Sequence, residues 1–164
     1  MSEIQHVGVI DIGKTNAKLA VVDLESQTEI GVLKRPNTVL AGPPYPHYDI
    51  DGLWDFLLQA LAELHTAHRI DAISVTTHGA SLVLLDASGG LAAPMLDYEF
   101  DGPDTLAKDY DAIRPDFSET GSPRLPLGLN AGTQLFWQFA TDPDLKARVK
   151  TVLTYPQYWS YRLT

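Results

Sequence analysis

The chain contains no cysteine. That absence excludes disulfides, thiolate metal centres and cysteine nucleophiles. Positive charge is also scarce: 12 lysines and arginines stand against 21 aspartates and glutamates, a formal net charge of −9. An excess of that sign disfavours nonspecific attraction to nucleic acid or to an anionic membrane, so neither is an expected partner. No apolar run approaches the roughly 18 residues needed to cross a bilayer. The opening MSEIQHVGV has neither the basic start nor the long apolar core of a signal peptide. These features point to a cytoplasmic protein. No internal repeat or low-complexity tract is visible.

What is present can build a core. Hydrophobic residues make up 45% and charged residues 20% of 164 positions, a composition typical of a folded domain of ordinary size. Proline is concentrated rather than scattered: four of the eleven lie between Pro36 and Pro46, which reads as a loop.

The stretch His6 to Asp23, HVGVIDIGKTNAKLAVVD, organises the chain. It reads as a strand, a tight turn over Asp11-Ile12-Gly13-Lys14-Thr15-Asn16, and a second strand from Lys18. Gly13 is expected to supply the positive φ common in such turns. Asp11, at the end of the first strand, can hold a hydrated Mg²⁺. Turn N–H groups and the side chains of Thr15 and Asn16 can donate to phosphate oxygens, and Lys14 and Lys18 add positive charge. An ordinary hairpin with a polar turn fits the same residues. The net acidity does not forbid ATP, because Mg²⁺ and two local lysines can offset its phosphates.

Glu29 to Lys34 reads as a third strand joined by the polar turn Ser26-Gln27-Thr28, giving three antiparallel neighbours. Leu53, Phe56, Leu57, Ala60, Leu61 and Leu64 recur at helical spacing through His68, with Asp49 or Asp51 as cap. Ile70 to Thr77 alternates like a strand and runs into His78-Gly79-Ala80-Ser81. Leu82 to Asp86 is a further strand, followed by a turn at Ser88-Gly89-Gly90 and the apolar segment Leu91 to Leu96. Pro103 suits the first helical position, with Leu106, Tyr110 and Ile113 behind it. Phe117 to Asn130 reads as loop. Leu135, Phe136 and Phe139 mark an apolar helix face. Asp142-Pro143 opens a short helix, Thr151 to Thr154 fits a short strand, and Pro156 starts a last helix. Trp54, Trp137 and Trp159 fall inside helical patterns and are expected to pack in a core or a domain interface. The pattern is α/β: a mixed sheet with three antiparallel strands and then strand-helix units. A chain ending on the apolar helix QYWSYRLT reads as a fragment of something longer.

Asp11 to Lys18 resembles the first phosphate motif of the superfamily of sugar kinases, heat-shock ATPases and actin. The strand order matches its ribonuclease H-like, actin-like ATPase domain. Val75 to Asp86, VTTHGASLVLLD, resembles the sugar-contacting segment of FGGY carbohydrate kinases, closest to the Thr-Thr-x-Gly form of the L-fuculokinase and rhamnulokinase branch. Tyr158 to Thr164 resembles a segment of their N-terminal domain. The resemblance implies that Asp11 holds Mg²⁺ through water and that Gly13, Lys14, Thr15, Asn16 and Lys18 serve the ATP phosphates. It implies that His78 and Gly79 contact sugar hydroxyls. Tyr98, Glu99 and Asp101 lie where many members carry W-x-D-x-R; here the segment is Y-E-F-D-G, without the arginine.

On this reading residues 1–164 are an incomplete N-terminal, sugar-binding domain of a two-domain kinase. ATP and Mg²⁺ are its cofactors, a ketose such as L-fuculose, L-rhamnulose, xylulose or ribulose its substrate, and a C-terminal domain its partner; a homodimer is left open. The catalytic base is expected downstream, so no catalytic residue is assigned within the chain. Two other classes stay open: a ribonuclease H-like nuclease using two metals, and a non-catalytic actin-like or sugar-sensing module. For single residues the bland alternatives are a structural histidine at His78 and a helix cap at Asp101. His65 and His68 are expected at the surface.

Overall fold

A computed structural model describes residues 4–164. The chain divides into two compact units, one of residues 4–39, 49–78 and 159–164, the other of residues 40–48 and 79–158.

The first unit is a four-stranded sheet with a helix. Strands β1 (His6–Ile12), β2 (Asn16–Asp23) and β3 (Thr28–Pro36) form the antiparallel meander. After helix α1 (Ile50–His68), strand β6 (Ala72–Thr77) returns parallel to β1, giving the order β3-β2-β1-β6. Of two short strands, β4 (Val39–Leu40) interrupts the proline-rich segment and β5 (His47–Tyr48), in the second unit, follows it. Alternation sets the faces: Ile10 and Ile12 are fully buried, and Asp11 between them points to the other face. From α1, Ile50, Leu53, Leu57, Ala60 and Leu64 complete this core. The cap is Asp49, whose Oδ1 accepts the Gly52 N–H at 3.0 Å while its Oδ2 meets Arg35 at 3.2 Å. Gly31 permits the close approach of helix to β3, since a Cβ there would fall 2.6 Å from His68 Nε2 and 3.0 Å from Leu64 Cδ2.

The second unit is built around the antiparallel pair β7 (Leu82–Leu85) and β8 (Thr151–Thr154). It also holds a 3₁₀ turn (Gly102–Leu106) and helices α2 (Ala107–Asp111), α3 (Phe117–Thr120), α4 (Ala131–Thr141) and α5 (Leu145–Arg148); helix α6 (Tyr155–Leu163) begins here. The expected loop from Phe117 to Asn130 therefore contains one helical turn, closed by Gly121 at φ 65°. Leu91 to Leu96 makes only single bridges, Leu91 to Leu85 and Leu96 to His47.

The buried face of α4 departs from expectation. Thr133, Gln134 and Gln138 are its most buried residues, while Leu135, Phe136 and Phe139 are half-buried. Carbonyls and a phenol meet the glutamine amides there: Gln138 Nε2 donates to the Tyr45 hydroxyl at 2.8 Å, and that hydroxyl donates to Pro94 O at 2.8 Å. The hydrogen bonds made by the amide nitrogens of Gln134 and Gln138 offset part of the cost of burying them.

Asp86 closes the turn after β7. Its Oδ1 accepts the Ser88 hydroxyl at 2.7 Å, the Ser88 N–H at 2.8 Å and the Gly90 N–H at 3.1 Å. The Ser88 bonds hold the Asp86 carboxyl below its ordinary value of 3.8. A depressed carboxyl contributes stability above its unfolded pKa and loses it as pH falls through the folded one. Asp86→Asn, which mimics the protonated acid, is therefore expected to lower the urea midpoint at neutral pH, with the gap to wild type narrowing as pH falls through and below the ordinary carboxylate range. A gap of constant size across that range, measured by urea titration, would contradict this role.

Candidate functional site

The turn between β1 and β2 is shorter than the sequence suggests. β1 runs to Ile12 and β2 starts at Asn16, so Gly13, Lys14 and Thr15 alone lie outside the strands, closed by the Gly13 N–H donating to Asn16 O at 2.9 Å. Gly13 is not in the left-handed region, which corrects the expected positive φ. Nor does packing demand glycine there, because a Cβ would meet only Asn16 O, at 3.6 Å. The turn closes through its hydrogen bonds instead, and a small residue leaves its surface open to a ligand.

Pairing places the predicted residues around this turn. Asp11 stands opposite Lys18 on β2 and beside Thr76 on β6. Asp11, Gly13 and Lys14 are half-buried, whereas Thr15 and Asn16 are exposed, with Asn16 Nδ2 donating to Thr15 Oγ1 at 3.0 Å. Lys18 turns outward: its ammonium pairs with Glu29 on β3 at 2.9 Å, and that hydrogen bond, with the charges of Glu29 and Asp11, raises its pKa. Its side chain is 33% exposed, so solvent screens the pair. Lys14 is the lysine carried by the turn itself.

His78 belongs to the same cluster. Its N–H donates to Ile12 O at 2.9 Å, fixing the end of β6 beside the turn, and both its ring nitrogens are buried. Thr77 Oγ1 caps the step by donating to His78 O at 2.8 Å.

The remaining sugar-site candidates lie in the second unit. Gly79 is open, a Cβ there meeting nothing within 4 Å. Tyr98 and Glu99 sit on a turn shaped by buried Asp97, whose Oδ1 accepts the Glu99 N–H and the Tyr48 hydroxyl, each at 3.1 Å. Burial and the Asp97 charge push the Tyr48 phenol far up. Glu99 and Asp101 are exposed carboxylates. Asp101 occupies the N-cap position of the 3₁₀ turn but makes no side-chain cap bond, so its carboxylate is not engaged in the capping expected of it.

Three positioning residues escape the sequence reading. Asn37 donates from Nδ2 to Gly13 O at 2.8 Å and from its backbone N–H to Thr15 O at 2.9 Å. Gln134 donates from Nε2 to the carbonyls of both Ala80 and Gly128, and the Gly128 N–H donates to Tyr98 O at 2.9 Å. It therefore braces the segment after Gly79 and the one after Asp97 together. Asp97 is the third. The available signal was polar residues in apolar company: two glutamines four apart on α4, and a lone asparagine after the strand-ending Pro36.

Among the described residues no three His, Asp or Glu side chains cluster to hold a metal directly. Asp11 as a single acceptor suits a cation that keeps most of its water, as Mg²⁺ does. The donor set of Lys14, Thr15 and Asn16 suits phosphate oxygens.

A mixed sheet of this kind, flanked by helix, is that of sugar kinases with the actin-like ATPase fold. Residues 6–164 match the family model described as the N-terminal domain of the FGGY family of carbohydrate kinases, and the chain belongs to that family. A carbohydrate kinase from Novosphingobium aromaticivorans is 35% identical, with a TM-score of 0.87 over 98% of this chain and 33% of its own. A xylulose kinase from Rhodospirillum rubrum (24% identity, TM-score 0.70) is covered to 34% by 96% of this chain. A glycerol kinase from Plasmodium falciparum with ADP (12% identity, TM-score 0.79) is covered to 35% by 99% of it. These last two share the fold. The chain spans about a third of the length of the solved structures it matches. Among the described residues no helix is long and apolar enough to cross a membrane.

Proposed function

We propose that this chain supplies the phosphate turn and part of the sugar site of an ATP-dependent carbohydrate kinase acting on a ketose hydroxyl. The observation that carries the reading is the joining of Asp11, the Gly13–Asn16 turn and His78 at one end of the first sheet, through the His78 N–H bond to Ile12 O. Kinase chemistry needs phosphate donors, a cation ligand and a sugar contact close together, because positioning and charge stabilisation supply most of the rate.

Asp11 holds a hydrated Mg²⁺ by accepting hydrogen bonds from its water. Lys14, the Thr15 hydroxyl and the Asn16 amide donate to phosphate oxygens. ATP, when bound, supplies the transferable phosphoryl group, and Mg²⁺ neutralises part of its charge. The sugar contact that the Val75 to Asp86 resemblance implies for His78 falls on a ring whose nitrogens are buried here; in the second unit, Tyr98, Glu99 and Asp101 carry a phenol and two carboxylates of the kind that bind sugar hydroxyls. Lys18, paired with Glu29, contributes field rather than a direct phosphate contact. The group that takes the proton from the attacking hydroxyl lies in the portion that the longer relatives carry beyond this match, so turnover belongs to the full-length protein. A two-domain organisation, with these residues as part of the N-terminal domain, belongs to the same reading, and the greater length of the solved structures supports it.

The ketose class rests on the Thr76-Thr77-His78-Gly79 pattern. Thermal unfolding of the full-length protein with L-fuculose, L-rhamnulose, xylulose and ribulose tests it. A ligand at about 100 times its Kd stabilises by roughly 2.7 kcal/mol. That raises Tm by several degrees, and the sugar that does so should also accept phosphate from Mg·ATP. No shift with any sugar, together with no phosphorylated product, would refute the assignment.

A further inference from the structure

We propose that Asn37 is the positioning residue that fixes the phosphate turn in its donor-outward conformation. The inference rests on the reading of Gly13 to Asn16 as the phosphate site.

Asn37 follows the last residue of β3, Pro36, which pairs with Asn16 across the sheet. It is 7% exposed. From that place it binds the turn twice, side-chain Nδ2 to Gly13 O at 2.8 Å and backbone N–H to Thr15 O at 2.9 Å. The acceptor at Gly13 is a carbonyl, so the nitrogen and not the oxygen of the amide must face it. The amide Oδ1 is buried and without a hydrogen-bond partner among the described residues. Leaving a buried acceptor unmatched is costly, so this amide is an expensive choice for a loop residue unless its donor has a task.

The task follows from peptide geometry. In a planar trans peptide the C=O and the following N–H point in opposite directions. Drawing Gly13 O and Thr15 O toward Asn37 turns the amide N–H groups of Lys14 and Asn16 away from it. It also keeps two carbonyl dipoles from facing a bound anion. The turn has no glycine in the left-handed region to set its path, so these two bonds select the orientation of its peptides. Asn37 touches neither sugar nor phosphate; it acts through the turn.

The test uses the full-length protein, with Mg·ATP titrated calorimetrically and KM measured for ATP and sugar separately. Asn37→Ala should weaken Mg·ATP binding about tenfold, with the KM for ATP rising alike and that for sugar staying within about twofold. Asn37→Asp presents a carboxylate to Gly13 O, so it should bind more weakly still at neutral pH. Near pH 4 to 5, where a carboxyl regains its proton, Asn37→Asp should recover relative to wild type at the same pH, because its O–H again donates to Gly13 O. The alanine variant should show no such recovery. Equal Mg·ATP affinity in wild type and Asn37→Ala, parallel rises in both KM values, or a pH-flat Asn37→Asp would each overturn the proposal. Absence of Mg·ATP binding in wild type would instead overturn the phosphate-turn reading itself.

Discussion

Asp11→Asn in the full-length protein is expected to lower kcat/KM for phosphoryl transfer by about 100-fold or more, with Tm close to wild type. The carboxylate is half-buried on the face of β1 away from Ile10 and Ile12, and among the described residues it has no hydrogen-bond partner. The substitution therefore leaves no polar group orphaned in the core, and the strand pairing of Asp11 with Lys18 and Thr76 uses backbone groups only. What is removed is the negative charge. An amide is a weaker partner for a hydrated cation, and the loss should ease partly as Mg²⁺ concentration rises. Steady-state kinetics at two Mg²⁺ concentrations check both points. Wild-type kinetics in the variant would remove Asp11 from the site, and a large drop in Tm would assign it to the fold.

Trp159→Ala is the variant expected to damage the fold most. Trp159 is fully buried and stacks on Trp54, with ring centroids 6.3 Å apart and planes at 18°. The Arg162 guanidinium lies 4.3 Å above the same Trp54 ring. Truncation empties a large volume that the surrounding side chains can fill only in part, for a cost of about 3–5 kcal/mol. At roughly 2–4 °C per kcal/mol for a chain of this size, Tm should fall by about 10 °C. Tyr161→Ala, at a position 47% exposed, serves as the control and should stay within about 0.5 kcal/mol. Urea unfolding compares the two; a loss below about 1 kcal/mol for Trp159→Ala would show that the first unit does not depend on this stack.

The elements most legible in the sequence are those whose periodicity is set by one buried face. β1 alternates and α1 repeats as one buried face demands, β2 is marked by its apolar run, and the β1 pattern places Asp11 at a strand end. Long-range polar contacts were not legible. Asn37 reaches back 24 residues to Gly13, and Gln134 reaches 54 residues to Ala80. Nothing in local periodicity encodes such pairs. The same limit explains α4: an apolar stripe of Leu135, Phe136 and Phe139 suggests the buried face, but the Ala80 and Gly128 carbonyls meet Gln134 and the Tyr45 hydroxyl meets Gln138, which lie buried instead. For Lys18 the family resemblance implies service to the ATP phosphates, and nothing near it in the sequence signals its ion pair. Its partner Glu29 lies across β2/β3 pairing, eleven residues away, and takes the ammonium. Gly13 was read for its φ, yet the Asn16 and Asn37 bonds close the turn without a left-handed residue.

The most direct measurement is calorimetric titration of Mg·ATP into the full-length protein, run alongside Asp11→Asn and alongside ATP with Mg²⁺ chelated. The account predicts saturable binding to wild type that weakens at least about tenfold both on chelation and in the variant. Binding of equal strength in all three would contradict the assignment of the Asp11 turn as the site where this domain holds its nucleotide.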